Sequence, residues 1–241
     1  MKMYLTSVIS CLDSIESFKK LIDSKTRLVV LPFSYHEDYI NCAEDIINHF
    51  DRDVTNLESI YWKTVKPFID AGIDSDKITI INQFTDSTAY IEYKISQPNT
   101  IVYLPGGYPE KIMANLYKYN LYKSIKKCGV LVGESAGAMV PFTEFFVYKD
   151  QDYPSYASYK GLRIVSNIAL IPHFNPSNQD IADACVKFSR KYPKVKIHCV
   201  MDGGYVVYNN NKLVEEHGVF VFKRRRYKRS KKTKGFVKYV E

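Results

Sequence analysis

The chain has few cysteines and pairs none of them in a motif. Cys11, Cys42, Cys128, Cys185 and Cys199 are odd in number and scattered, with no Cys-x-x-Cys. That argues against a disulfide framework and a thiolate zinc site, and for the reduced thiols of a cytoplasmic protein. Long hydrophobic runs are also missing: none reaches the roughly 18 residues of a membrane-spanning helix. The first ten residues lack a long apolar h-region and a clear cleavage site, and read as a first strand, not a signal peptide. There is no internal repeat, and nothing implies a metal or a cofactor. What is abundant is apolar and aromatic: 46 % hydrophobic residues and 20 tyrosines in 241 residues, ample for one large core.

The net charge of +8 is a local feature. Nine basic residues and no acid lie between Lys223 and Lys234, so removing them takes +8 to −1. The chain therefore divides into a near-neutral body, residues 1–222, and a basic C-terminal segment, residues 223–241. That segment reads as a solvated stretch or a charged hairpin loop between 219–222 and 236–240. Any anionic partner it takes, nucleic acid or lipid, is expected to bind weakly and without sequence preference.

Apolar runs alternate with amphipathic ones. Strands are expected at 4–9, 28–32, 78–82, 100–104, 130–133 and 168–172, and helices at 14–23, 37–50, 57–71, 88–95, 110–127 and 178–191, with Pro67 as a kink or an early end. Short strands rich in Val, Ile and Leu that alternate with helices predict a doubly wound, mostly parallel α/β sheet. After Lys196 the pattern becomes a closing β-meander over 196–201, 205–208 and 219–222, with Asp202-Gly203-Gly204 and Asn209-Asn210-Asn211 as its turns.

The motif with the most chemistry is Gly133-Glu134-Ser135-Ala136-Gly137-Ala138, which follows the apolar run Val130-Leu131-Val132. A strand that ends on Gly-x-Ser-x-Gly and turns at once into a helix is a nucleophile elbow, whose tight turn demands small neighbours. A serine nucleophile needs a base. His173, between Pro172 and Phe174 at the end of a strand, is the best placed, and His36 is the runner-up. Glu144, Asp150 and Asp152 lie between Ser135 and His173 as candidate orienting acids. Pro105-Gly106-Gly107-Tyr108-Pro109-Glu110 sits between a strand and a helix, where glycines let backbone N–H groups approach a ligand.

Together, Pro105-Gly106-Gly107, the Ser-Ala-Gly-Ala elbow and Pro172-His173-Phe174 resemble the peptidase E (aspartyl dipeptidase) family of serine peptidases. The fold of that family is like that of class I glutamine amidotransferases, and the resemblance spans about residues 28–222. It implies Ser135 as nucleophile and His173 as base. It implies Asp150 as the acid, at the family's spacing after the elbow, and the N–H groups of Gly107 and Ala136 as the oxyanion hole. The substrate it implies is a small peptide. Two departures bear on specificity. The arginine that the family uses to select aspartate is missing from residues 180–187. Gly106-Gly107-Tyr108-Pro109-Glu110 and Glu134 also look like the glutaminase domains of cobyrinate-type amidotransferases, but those carry cysteine at the elbow, and Ser135 argues against glutamine hydrolysis.

Other readings compete. An α/β-hydrolase esterase shares the order serine, acid, histidine, but His173 lies only 38 positions after Ser135, too few for that fold's remaining strands. A non-catalytic amidotransferase-like domain would bind a ligand at the elbow without turnover. A nucleic-acid binder would rest on the basic segment alone, which carries no aromatic-interleaved RNA-binding motif.

Overall fold

The computed structural model describes residues 1–51, 60–224 and 235–239. Its centre is a parallel array: β1 (Lys2–Thr6) beside β5 (Val130–Glu134), then β4 (Thr100–Leu104), β2 (Arg27–Val30) and β3 (Ile78–Ile80). All five residues of β4 are buried, as a strand covered on both faces requires. Met3, Leu5, Val102, Leu104 and Leu131 face one apolar cluster; Tyr4, Leu28, Val30, Tyr103 and Val132 face the other. The alternation along β1, β4 and β5 is thus used on both faces.

Helices cover both faces. They are α1 (Glu16–Lys19), α2 (Ala43–His49), α3 (Ile60–Asp70), α4 (Thr88–Ser96), α5 (Pro109–Lys118), α6 (Tyr122–Lys127), α7 (Ala136–Met139) and α8 (Gln179–Lys191). α8 shows why such segments are helical. The Asn178 side chain accepts the Ile181 N–H at 3.2 Å, Asp180 lies in the first turn, and Arg190 and Lys191 lie in the last. Ile181, Ala184, Cys185 and Phe188 then form one buried stripe. The expected 110–127 helix is two helices, broken where Asn120 takes φ 54°. Pro67 lies inside α3 without ending it. Residues 57–59 of the expected 57–71 helix lie outside the described residues. A short pair absent from the sequence expectation, β6 (Glu144–Val147) with β7 (Ala157–Lys160), forms its own antiparallel ribbon, and Phe146 stacks on Phe188 of α8 at 4.5 Å.

The closing strands position the site. β9 (Lys196–Asn209) and β10 (Lys212–Arg224) form a long antiparallel hairpin, and β11 (Gly235–Tyr239) pairs antiparallel with residues 220–224 of β10. Residues 225–234, with most of the basic run, lie outside the described residues. On its other edge β9 pairs with two strands in succession. β8 (Ile168–Ile171) runs parallel to its first part, and β1 runs antiparallel to its second part. β1 and β8 therefore point at each other along one edge, and their carboxyl ends meet opposite residues 200–204 of β9. The Phe174 N–H donates to Val200 O at 2.9 Å and the Ser7 N–H to Gly204 O at 3.1 Å. Gly204 has no room for a side chain, since a Cβ there would lie 2.8 Å from Met201 O and 2.9 Å from Gly218 O.

Candidate active site

Ser135 sits between β5 and α7 at φ 47°, ψ −109°, a backbone conformation that costs a non-glycine residue about 1–3 kcal/mol. The surrounding packing enforces it. A Cβ on Gly133 would come within 2.4 Å of Gly137 O, and one on Gly137 within 1.9 Å of Leu104 O. The Ser135 N–H donates to Thr6 O at 2.9 Å, which ties the elbow to the end of β1.

The glycine loop is pinned from two sides. Tyr108 N–H donates to Ser34 O at 2.8 Å, and Ser34 Oγ donates to Gly106 O at 2.6 Å. Gly107 has φ +133°, and a Cβ there would stand 2.6 Å from Ser34 O. From below, the Glu134 carboxylate accepts the Gly106 N–H at 3.3 Å, the Ile9 N–H at 3.0 Å and the Tyr103 hydroxyl at 2.6 Å. Burial, and then the Glu134 charge, hold the Tyr103 phenol well above its ordinary range, so it stays a donor. The loop passes so close that a Cβ on Gly106 would touch Ser135 Cβ at 3.4 Å.

His173 follows β8 at φ 53°. Its Nε2 lies 2.9 Å from Ser135 Oγ, and its Nδ1 lies 2.6 Å from Asp202 Oδ1. An ionised carboxylate only accepts, so the proton belongs on Nδ1, and Nε2 turns its lone pair toward the serine hydroxyl.

The carboxylate that meets His173 is Asp202, not the Asp150 expected there. Asp150 does not orient His173 here; its Oδ1 accepts the N–H groups of Asp152 at 2.9 Å and Tyr153 at 2.8 Å, closing a local turn. Asp152 meets the Tyr108 hydroxyl at 3.3 Å, and Glu144 lies in β6 opposite Lys160. The reason is topological: Asp150, Asp152 and Glu144 lie between Ser135 and His173 in the chain, whereas the convergence of β1 and β8 on β9 presents a carboxylate from beyond His173. The only sequence signal for Asp202 was a carboxylate followed by two glycines, which reads as an ordinary turn. His36 pairs its Nδ1 with Asp38 at 3.0 Å and lies outside the cleft lining.

Ser135 and His173 open into a cleft of about 500 Å³, which Gly107, Ala136, Asp150 and Asp152 also line. Among the described residues no lysine or arginine lines it. Tyr148, in the same wall, has its phenol raised by burial and then by the charges of Asp150, Asp202 and Asp152. Tyr153 donates to Glu110 at 2.8 Å and is likewise raised, by burial first. The wall is negative.

The sequence pattern of peptidase family S51 matches residues 18–215. The chain belongs to peptidase family S51. Membership places it among the peptidases and agrees with the peptidase E resemblance read from the motifs. A solved structure from Listeria monocytogenes EGD-e, of a protein named for peptidase E, aligns with a TM-score of 0.56 at 15 % identity. It covers 88 % of this chain and 96 % of that one. At that identity the likeness concerns the fold, a mostly parallel α/β sheet with flanking helices. No curated protein sequence matches the chain. Among the described residues no helix is long and apolar enough to cross a membrane.

Proposed function

We propose that this S51 peptidase is a serine enzyme that hydrolyses small peptides through Ser135, His173 and Asp202. The observation that carries the reading is the 2.9 Å contact of His173 Nε2 with Ser135 Oγ at a sterically enforced elbow. In this mechanism Ser135 Oγ attacks the scissile carbonyl while His173 takes its proton. Asp202 stabilises the imidazolium and keeps the tautomer. The backbone N–H groups of Gly107 and Ala136, both lining the cleft beside Ser135, face the oxyanion. His173 then protonates the leaving amine, and water, activated by the same imidazole, releases the acyl group.

The cleft volume suits a ligand of a few residues and not a folded chain. Its carboxylates, with no lysine or arginine beside them among the described residues, repel a substrate carboxylate. The reading is therefore a dipeptidase-like enzyme that does not share a requirement for an N-terminal aspartate. The test is covalent labelling of the pure protein with a fluorophosphonate, followed by a dipeptide library. Labelling at Ser135 with turnover of neutral dipeptides supports the proposal. A folded protein that takes no label and cleaves nothing would instead be a ligand-binding domain.

A further inference from the structure

Ser7, the residue immediately after β1, belongs to neither the elbow nor the histidine loop, yet it touches both partners that would serve Ser135. It is fully buried. Its Oγ accepts the backbone N–H of His173 at 2.8 Å, lies 3.3 Å from His173 Nδ1, and donates to Asp202 Oδ1 at 3.0 Å. Its own N–H is fixed on Gly204 O at 3.1 Å, just beyond Asp202. By contrast, the Asp202 side chain is 68 % exposed and that of His173 40 %. Neither is held in place by burial, and His173 has the added cost of φ 53°.

We infer that Ser7 is the positioning residue of this site: its hydroxyl locks the orientation of both Asp202 and His173 to the rigid end of β1. This rests on the peptidase reading for its consequence, though not for its geometry. A hydroxyl has one proton. Spent on Asp202, it leaves the Ser7 oxygen only as an acceptor toward the imidazole, so the Nδ1 proton is directed to Asp202 and the Nε2 lone pair to Ser135. Were the hydroxyl to donate to Nδ1 instead, Nε2 would carry the proton and could not act as a base. The same oxygen accepts the His173 N–H and so holds the unusual backbone at that residue. One buried atom thus sets tautomer, ring plane and backbone together.

The experiment uses the full chain with Ser7→Ala and the same-shape pair Ser7→Thr and Ser7→Val, which differ by the hydroxyl alone and decide the matter if the alanine variant does not fold. Two quantities are read: the rate of Ser135 labelling by a fluorophosphonate across pH, and the Nδ1 proton resonance of His173. Loss of the hydroxyl should slow labelling by about 10- to 100-fold, a part of what a positioned base contributes. It should move the acidic limb of the pH profile lower, because a loosened Asp202 stabilises the imidazolium less. It should also weaken the low-field Nδ1 signal. Ser7→Thr should restore both. Unchanged labelling and signal in Ser7→Val, or slowed labelling with the Nδ1 signal intact, would overturn the inference. If the wild-type protein takes no label, the peptidase reading falls and the resonance alone decides the role of Ser7.

Discussion

The parallel and antiparallel parts of the sheet hold their shares of the site by different means. In the parallel part, steric exclusion does the work: Ser135 stands where it does because Gly133, Gly137 and Leu104 leave its backbone no alternative. In the antiparallel part, Asp202 lies on an exposed stretch of β9 and is held by hydrogen bonds to His173 and Ser7. Packing sets a backbone almost irrespective of solvent, whereas an exposed carboxylate is only as well placed as its partners. Damage to the packing around Ser135 in the first part should therefore appear as loss of fold, and loss of a hydrogen-bonding group in the second as loss of rate.

The sharpest way to break that contrast is Gly137→Val. A side chain there meets the Leu104 carbonyl, and chemical denaturation should show a loss of more than about 4 kcal/mol, or no soluble protein. Ser135→Ala should leave denaturation nearly unchanged and lower dipeptide hydrolysis by about four to six decades. Equal activity in that variant would place the chemistry elsewhere. Asp202→Asn, which keeps shape but not charge, should cost about two to four decades in kcat/KM with a native melting curve. Asp150→Asn, whose partners are backbone groups of its own turn, should cost less than about tenfold; the reverse ranking would return the acid to the loop after the elbow. Next in size is selectivity: kcat/KM for Asp-Leu should fall below that for Ala-Leu, and a thousandfold preference for Asp-Leu, on the order of 4 kcal/mol, would reveal a cation supplied from outside the described lining. Smallest is the effect of thiol reagents. Burial pushes the Cys11 thiol up to about 11 and that of Cys128 to about 12. Both are neutral thiols at pH 7 and slow to alkylate, so iodoacetamide should leave activity intact.

The same contrast explains what could be read from the sequence. The parallel part is locally encoded. Apolar runs gave β4 and β5 their places within a residue or so, and the spacing of small residues around Ser135 announced its turn. His173 was legible because it ends a strand. Asp202 was not, because its place beside His173 and Ser7 depends on β1 and β8 meeting at one point of β9, a relation between residues 166 and 195 positions apart that no window along the chain contains. Glu134 was visible as a neighbour of the nucleophile, but its three donors come from Tyr103, Gly106 and Ile9 and needed the fold to be found. The split of the 110–127 helix escaped because Asn120 adopts a left-handed turn within an unbroken helical pattern.

The meeting of β1 and β8 on β9 has a consequence in time. Contacts that join distant parts of a chain form slowly, since each must close a long loop before it is rewarded. The single tryptophan, Trp62 on α3, packs against the apolar cluster on one face of the parallel strands and reports on that region. On dilution from denaturant, its fluorescence should recover first, and competence for serine labelling later, when residues 7, 173 and 202 are at last brought together. A population with native fluorescence and an inert serine would be the kinetic trace of a site assembled from three remote pieces.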